Sequence, residues 1–227
     1  MKIARQGDRW AALSLLPRHA LITTGPVDHA DWSYRDGLIG SVIRRRFSMV
    51  GRLLPARVPR LLEIGYGSGI FMPRLALHAR ELHGIDIHTR HKEVQAVLAR
   101  HGVIASLKSG DVASLPYGDR AFDVIVAVST LEFIEDLRNA TNEMCRVLTP
   151  SGFLIMVTPG SSRLLDALLY FATGESASRD YGSRRQHVMP TLLKRFRVDR
   201  ELVFPPLLGS IAPVYRACRL VPLPALT

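Results

Sequence analysis

Apolar positions in the middle of the chain come in short runs separated by amphipathic stretches. Arg60–Ile64, Glu81–Ile85, Val103–Leu107, Phe122–Val128 and Phe153–Val157 read as five strands. In the fourth, Val124-Ile125-Val126-Ala127-Val128 shows no polar alternation, as a strand buried on both faces requires. Between the runs, Ile70–Ala79, Lys92–Arg100 and Leu137–Leu148 have helical spacing. Val94, Val97 and Leu98 line one side of the second, and Pro150 is expected to stop the third. Strands alternating with helices predict an α/β fold, a parallel sheet covered on both faces.

The flanks read differently. Leu38, Ile39, Val42, Ile43, Val50, Leu53 and Leu54 fall near helical spacing until Pro55 and Pro59. Arg44-Arg45-Arg46 interrupt that stripe, and their plain reading is a solvated helix face. Beyond the core come a helix near Arg163–Phe171, a polar run Gly174–Gln186, and a short helix over Pro190–Arg195. A strand over Phe196–Phe204 is broken by Pro205-Pro206, and Val214–Leu220 gives a last strand. The chain divides into 1–59, an arm and helix; 60–160, the core; and 161–227, a closing segment. Together they form one domain.

Composition narrows the class. The 227 residues are 47% apolar and 22% charged, which excludes a disordered or collagen-like chain. Cys145 and Cys218 lie far apart with no neighbouring Cys, which excludes a disulfide scaffold and a Cys-based zinc site. No apolar run is long enough for a membrane span, and Arg18 and His19 interrupt any signal-peptide core. The expected setting is cytoplasmic. The net charge of +10 is uneven: residues 1–60 carry 11 Lys/Arg against 4 Asp/Glu, and 161–227 carry 10 against 5. The middle carries 9 against 11, so all the basicity lies in the flanks, where it favours anionic partners.

The chemistry-bearing motif is Leu61-Leu62-Glu63-Ile64-Gly65-Tyr66-Gly67-Ser68-Gly69, a buried strand running into three alternate glycines. Glycine there lets a ligand approach the main chain without a Cβ in the way. Glu63 stands two residues before the first glycine. Asp86 ends the next strand, 21 residues after Gly65, where an acid can accept from both hydroxyls of a ribose. Asp111 follows the third strand. All three acids fall at strand carboxyl ends, where open α/β sheets bind ligands.

In these features residues 61–158 resemble the class I S-adenosylmethionine-dependent methyltransferases, within the subgroup that acts on small molecules. The resemblance rests on Glu63 to Gly69, Gly84-Ile85-Asp86, Gly110-Asp111-Val112 through Leu115-Pro116, Ala121 to Ile125, Leu131-Glu132, and Arg146 to Gly152. It implies a doubly wound, mostly parallel seven-stranded sheet of the Rossmann-like methyltransferase type, and S-adenosyl-L-methionine as cofactor. Gly65, Tyr66, Gly67 and Gly69 would cradle the methionine portion, with Glu63 holding its amino group. Asp86 would take the ribose hydroxyls, Ile87 would pack on the adenine, and Asp111 with the main chain of Val112 would read the adenine edge. Ser129 would line the cofactor near the methyl. In the same reading, 1–59 covers the cofactor site and 161–227 forms a lid. Many relatives carry His after the Glu equivalent to Glu132; here Phe133 stands there, so no acid–base role carries over from it.

A dinucleotide-binding oxidoreductase is the rival for the glycine turn, but its pattern wants glycine at Ile70 and gives Glu63 and Asp111 no role. Asp123 reads as a strand-start acid. His29, His78, His83, His88, His91 and His101 are scattered, without a third ligand for the His88/His91 pair, and no metal is expected. For catalysis the weak candidates are Glu132, His187 and Tyr34, since a sulfonium brings its own leaving group and a base is needed only for a reluctant proton.

The expected function is methyl transfer to an O, N or C atom of a small-molecule acceptor, apolar or anionic. The alternatives are an RNA methyltransferase or a non-catalytic cofactor-binding interaction protein. Nucleic acid is not favoured, because no RNA-binding module or aromatic platform is visible. The expected partner is the acceptor, with peripheral membrane contact left open.

Overall fold

The computed structural model describes residues 14–25, 30–160, 184–206 and 213–224. Its elements in chain order are α1 (Gly37–Leu53), β1 (Val58–Ile64), α2 (Met72–Ala76), β2 (Ala79–Asp86), α3 (His91–Arg100), β3 (Ser106–Ser109), β4 (Phe122–Val128), α4 (Leu137–Val147), β5 (Leu148–Pro159), α5 (Arg184–Leu192), β6 (Phe196–Phe204) and β7 (Tyr215–Pro222). Short 3-10 turns at Arg18–Ala20, Ala30–Tyr34, Val112–Ser114 and Leu131–Phe133 complete the described chain.

The seven strands form one sheet in the order β3-β2-β1-β4-β5-β7-β6. β1 to β5 run parallel, and β7 is antiparallel to both β5 and β6. Pleating sends successive side chains to opposite faces. Leu61, Val124, Val126 and Ile155 therefore join Phe47, Val50 and Leu53 of α1, Leu75 of α2 and Val94 and Leu98 of α3 in one core layer. Leu62, Ile125, Ala127 and Leu154 join Ala140, Met144 and Val147 of α4 and Val188 and Leu192 of α5 in the other. That double burial is why the central strands read as unbroken apolar runs.

Several expected boundaries shift, each for a tertiary reason. The helix expected over Ile70–Ala79 is only Met72–Ala76, because Val58 N–H bonds His78 carbonyl (2.7 Å) and Ala79 already pairs with Val58 in the sheet. The strand expected at Val103–Leu107 forms at Ser106–Ser109; Gly102, at φ +74°, ends α3 and Val103 N–H returns to Leu98 carbonyl. Pro150 does not terminate a helix but lies inside β5, where the register with β4 shifts between Phe122 and Val124 and no ladder donor is needed. The short helix lies at Arg184–Leu192 rather than Pro190–Arg195. Val188 and Leu192, one turn apart and fully buried, dock it on α4. The end of the polar run, Arg184 to Gln186, is thus helical rather than loop. The helix expected near Arg163–Phe171 and the rest of that run lie outside the described residues.

Candidate active site

β1 delivers the chain to the glycine turn, where Gly65, Gly67 and Gly69 all have positive φ (71°, 51° and 74°). They do different work. A Cβ at Gly65 would run into the side chain of Thr130, beyond β4, so this glycine lets two loops meet. At Gly67 a Cβ would find only Thr24 Oγ1, 3.8 Å away. The space beside the turn is open at the position where a ligand would approach the main chain.

Asp86, at the end of β2, is aimed at this turn. Its Oδ2 accepts from Gly67 N–H (2.8 Å) and its Oδ1 from His88 N–H (3.3 Å). His88 Nε2 lies 3.0 Å from Gly67 carbonyl oxygen, and His88 carbonyl accepts from Ser109 Oγ (2.7 Å). His88 is therefore a brace of the site that sequence reasoning placed among scattered histidines; its one signal was standing two residues after Asp86. Ile87 between them is 74% exposed, an apolar side chain left open at the strand end.

The other expected contacts divide clearly. Tyr66 turns its ring into the core beside Gly84, its hydroxyl reaching Lys108 carbonyl (3.4 Å), so only its main chain belongs to the turn. Asp111 Oδ1 accepts from Ala113 N–H (2.8 Å), capping the 3-10 turn, while the Val112 side chain is buried. That loop is riveted to α4: Glu143 accepts from Leu115 N–H (2.8 Å), and Arg146 bonds Glu143, Asp119, and the Leu115 and Tyr117 carbonyls. Ser129 has φ +51°, costly for a residue with a Cβ, and its N–H is tied to Val157 carbonyl (2.8 Å).

The N-terminal arm crosses the glycine turn. Leu16 is fully buried and donates to Ile70 carbonyl (3.0 Å), while Thr23 carbonyl accepts from Arg90 (2.7 Å). Tyr34 donates its hydroxyl to Leu16 carbonyl, and burial raises its pKa. It therefore fastens the arm and stays protonated. His187 lies exposed on α5. Of the three catalytic candidates, only Glu132 is buried at the sheet's carboxyl end, with no exposure at all.

Buried polar atoms without a hydrogen-bond partner gather at this end. Among the described residues those at this end are Glu63 Oε2, Ser68 Oγ, Ser129 Oγ, both carboxyl oxygens of Glu132, and Thr158 Oγ1, joined from α1 by Arg46 Nε, while others such as His83 Nδ1, Tyr117 Oη, Thr149 Oγ1 and Arg219 Nε are scattered through the rest of the fold. Native interiors leave few such atoms, so a cluster of them marks where a ligand completes the bonding. Burial, with the nearby Asp86 charge, pushes the Glu63 carboxyl up to about 8. Burial likewise lifts Glu132 to about 7, opposed first by its own backbone amide and then by the Arg185 and Arg46 charges. A cationic group on a ligand would return Glu63 to its charged form. Orphaned acceptors, an open glycine turn and a ribose-competent Asp86 fit S-adenosylmethionine.

Comparison with known proteins points the same way. Residues 62–156 match a family described as a methyltransferase domain. Over 119 residues the chain is 28% identical to malonyl-[acyl-carrier protein] O-methyltransferase from Chlorobium luteolum, covering 50% of this chain and 45% of that protein. The chain spans less than two thirds of the length of the curated relatives it matches first. Among solved structures it resembles N-methyltransferase NodS from Bradyrhizobium japonicum WM9 bound to S-adenosyl-l-homocysteine, with TM-score 0.61, 22% identity and coverage of 87% and 94%. It also resembles the [4+2]-cyclase SpnF, with TM-score 0.64, 17% identity and coverage of 82% and 84%. Those structural likenesses establish the fold; the chemistry must come from the site.

Proposed function

We propose that the chain is a class I S-adenosylmethionine-dependent methyltransferase, a reading supported by the match of residues 62–156 to a methyltransferase domain, and that it moves a methyl group from S-adenosylmethionine to an oxygen, nitrogen or carbon atom of a small-molecule acceptor. The observation that carries this is the cluster of unpartnered buried polar atoms at the carboxyl end of the sheet, beside a glycine turn with open space at Gly67.

The cofactor supplies an electrophilic methyl on a sulfonium that departs as a neutral thioether. The chain's own residues bind and orient. Asp86, held by Gly67 and His88 main-chain donors, keeps its carboxylate fixed for the ribose. Glu63 takes the ammonium, and the bare glycine turn admits the methionine portion. Ile87 and the Asp111–Val112 turn flank the adenine, and Ser129 lines the space near the methyl. The arm, fastened by Leu16, Tyr34 and Thr23, covers this half of the site and excludes water. With nucleophile, methyl carbon and sulfur aligned, most of the acceleration comes from positioning.

Calorimetry with S-adenosylmethionine and S-adenosylhomocysteine tests the binding half, and release of label from methyl-tritiated cofactor into an extract-derived acceptor tests transfer. We expect saturable binding of both and a labelled small molecule. Absence of cofactor binding by the intact chain overturns the reading; binding with no labelled acceptor favours a non-catalytic role.

A further inference from the structure

Three arginines follow one another on α1 and part company. Arg44 bonds the Ser33 carbonyl (2.7 Å) and Arg35 carbonyl (3.2 Å), and Arg46 has its Nε enclosed. Arg45 alone of the three is exposed, its guanidinium over the Phe204 ring, 5.2 Å from the centroid. Arg45, Met49 and Arg52 stand at helical spacing along one face of α1. Opposite them runs the end of β6, with Leu202 and Phe204 turned toward the same core layer as α1. A cleft of about 310 Å³ lies between, floored by Met49, Leu202 and Phe204 and flanked by Arg45 and Arg52. That volume falls at the small end of the range for ligand pockets, about 300–1,000 Å³.

Glu201 borders this cleft, but pleating sends its side chain to the opposite face with Cys218, where its Oε1 meets Arg216 Nη1 at 2.7 Å. Among the described residues neither Arg45 nor Arg52 has a carboxylate partner. The cleft is thus an apolar floor with a guanidinium toward each end, about 10 Å apart along the helix. It also has a direction. Tyr215 of β7 pairs with Phe204 on one side and Pro159 on the other, so the Phe204 end lies two strand spacings, about 10 Å, from the carboxyl end of β5.

Resting on the methyltransferase reading, we propose that this cleft holds the part of the acceptor remote from the methylated atom, an apolar chain ending in a carboxylate or phosphate. The chain lies on Met49, Leu202 and Phe204 beneath Arg45, its oxyanion meets Arg52, and its other end is directed past β7 toward the methyl. Guanidinium forks match such oxyanions, and a guanidinium laid on an aromatic face keeps its N–H edge for them.

The test titrates the full chain, saturated with S-adenosylhomocysteine, with octanoate, octyl phosphate, octylamine and butyrate. One or both octyl anions should bind, while octylamine and the short butyrate should bind at least tenfold more weakly. Arg52→Gln should weaken the octyl anions by roughly tenfold or more, Arg45→Gln and Leu202→Ser by several-fold. Arg197→Gln, an exposed arginine of β6 away from the cleft, should change nothing. All four variants should retain S-adenosylhomocysteine, which certifies the fold; if a Gln variant loses it, R45K and R52K carry the same test, keeping the charge and losing the fork. With methyl-tritiated S-adenosylmethionine and a cell extract, the labelled product should pass into organic solvent only when acidified, and R52Q should reduce its formation. Octyl anions bound no better than octylamine, affinity indifferent to R45Q and R52Q, an equal loss in R197Q, or a labelled product that is a base overturns this inference. Failure of the unaltered chain to bind S-adenosylhomocysteine, or to label any product while the octyl anions bind, overturns instead the reading beneath it.

Discussion

Asp86 shows how one side chain is prepared for a task. Two main-chain donors hold its carboxylate beside the glycine turn, so its orientation is set before any ligand arrives. Hydrogen bonds to a charged group contribute about 1.5–3 kcal/mol each, so Asp86→Ala should weaken S-adenosylhomocysteine by roughly 10- to 100-fold in calorimetry. Glu63 is the opposite case, a carboxyl kept neutral by burial near pH 7. An arriving ammonium should expel its proton. Titrations in buffers of different ionisation enthalpy should show close to one proton released per cofactor at neutral pH, and Glu63→Gln should abolish that release. What the sequence displayed at this scale were acids at strand ends, because spacing alone places them. His88 and Arg46 stayed invisible, since a brace two residues past an acid and one arginine of three differ from ordinary surface residues only by what lies opposite them in space.

At the scale of elements, the glycine turn separates two kinds of constraint. Gly65→Ala should destabilise the fold, because its Cβ would strike Thr130 and its φ of +71° disfavours any side chain. Gly67→Val should abolish cofactor binding, its side chain occupying open space, and should also lower the unfolding midpoint, because φ +51° disfavours a β-branched residue, while leaving circular dichroism native-like at low temperature; a chain unfolded at low temperature would show that the turn is structural first. Tyr34→Phe should remove one hydrogen bond of about 1 kcal/mol and raise amide exchange across 14–25 without touching the glycine turn. The central strands were legible because burial on both faces writes itself as continuous apolar residues, and Phe122–Val128 matches its expected limits; Phe196–Phe204, an edge strand exposed along most of its length, matches because Pro205-Pro206 follow it. Ends set by long-range pairing were not: Ala79 enters a strand because Val58 lies beside it, and Pro150 is tolerated because β5 shifts register there.

Over the whole molecule, the two buried acids bias stability with pH. Both have folded pKa values above their unfolded ones, so the folded chain binds extra protons between about 4.5 and about 8, and stability must fall as pH rises through that window. Glu143 runs the other way: its bond to Arg146 lowers its pKa, and that contribution disappears as the pH falls below the usual carboxylate range. Urea midpoints should therefore peak on the mildly acidic side of neutrality and decline toward pH 8. E63Q should flatten the decline.

β7 runs against its neighbours and joins β5 along Leu154 to Pro159, where the β5 residues Leu154, Ile155 and Met156 are fully buried. The stretch that matches the methyltransferase-domain family, 62–156, stops short of that partner. Cut to this stretch, the chain would present the flank of a buried strand as a bare ladder of donors and acceptors, ready to zip onto the same ladder of another molecule. A minimal catalytic core trimmed to its recognisable motifs should come out of cells as insoluble aggregate. The hairpin of β6 and β7, which carries no recognisable motif, is what lets the recognisable part exist alone in water.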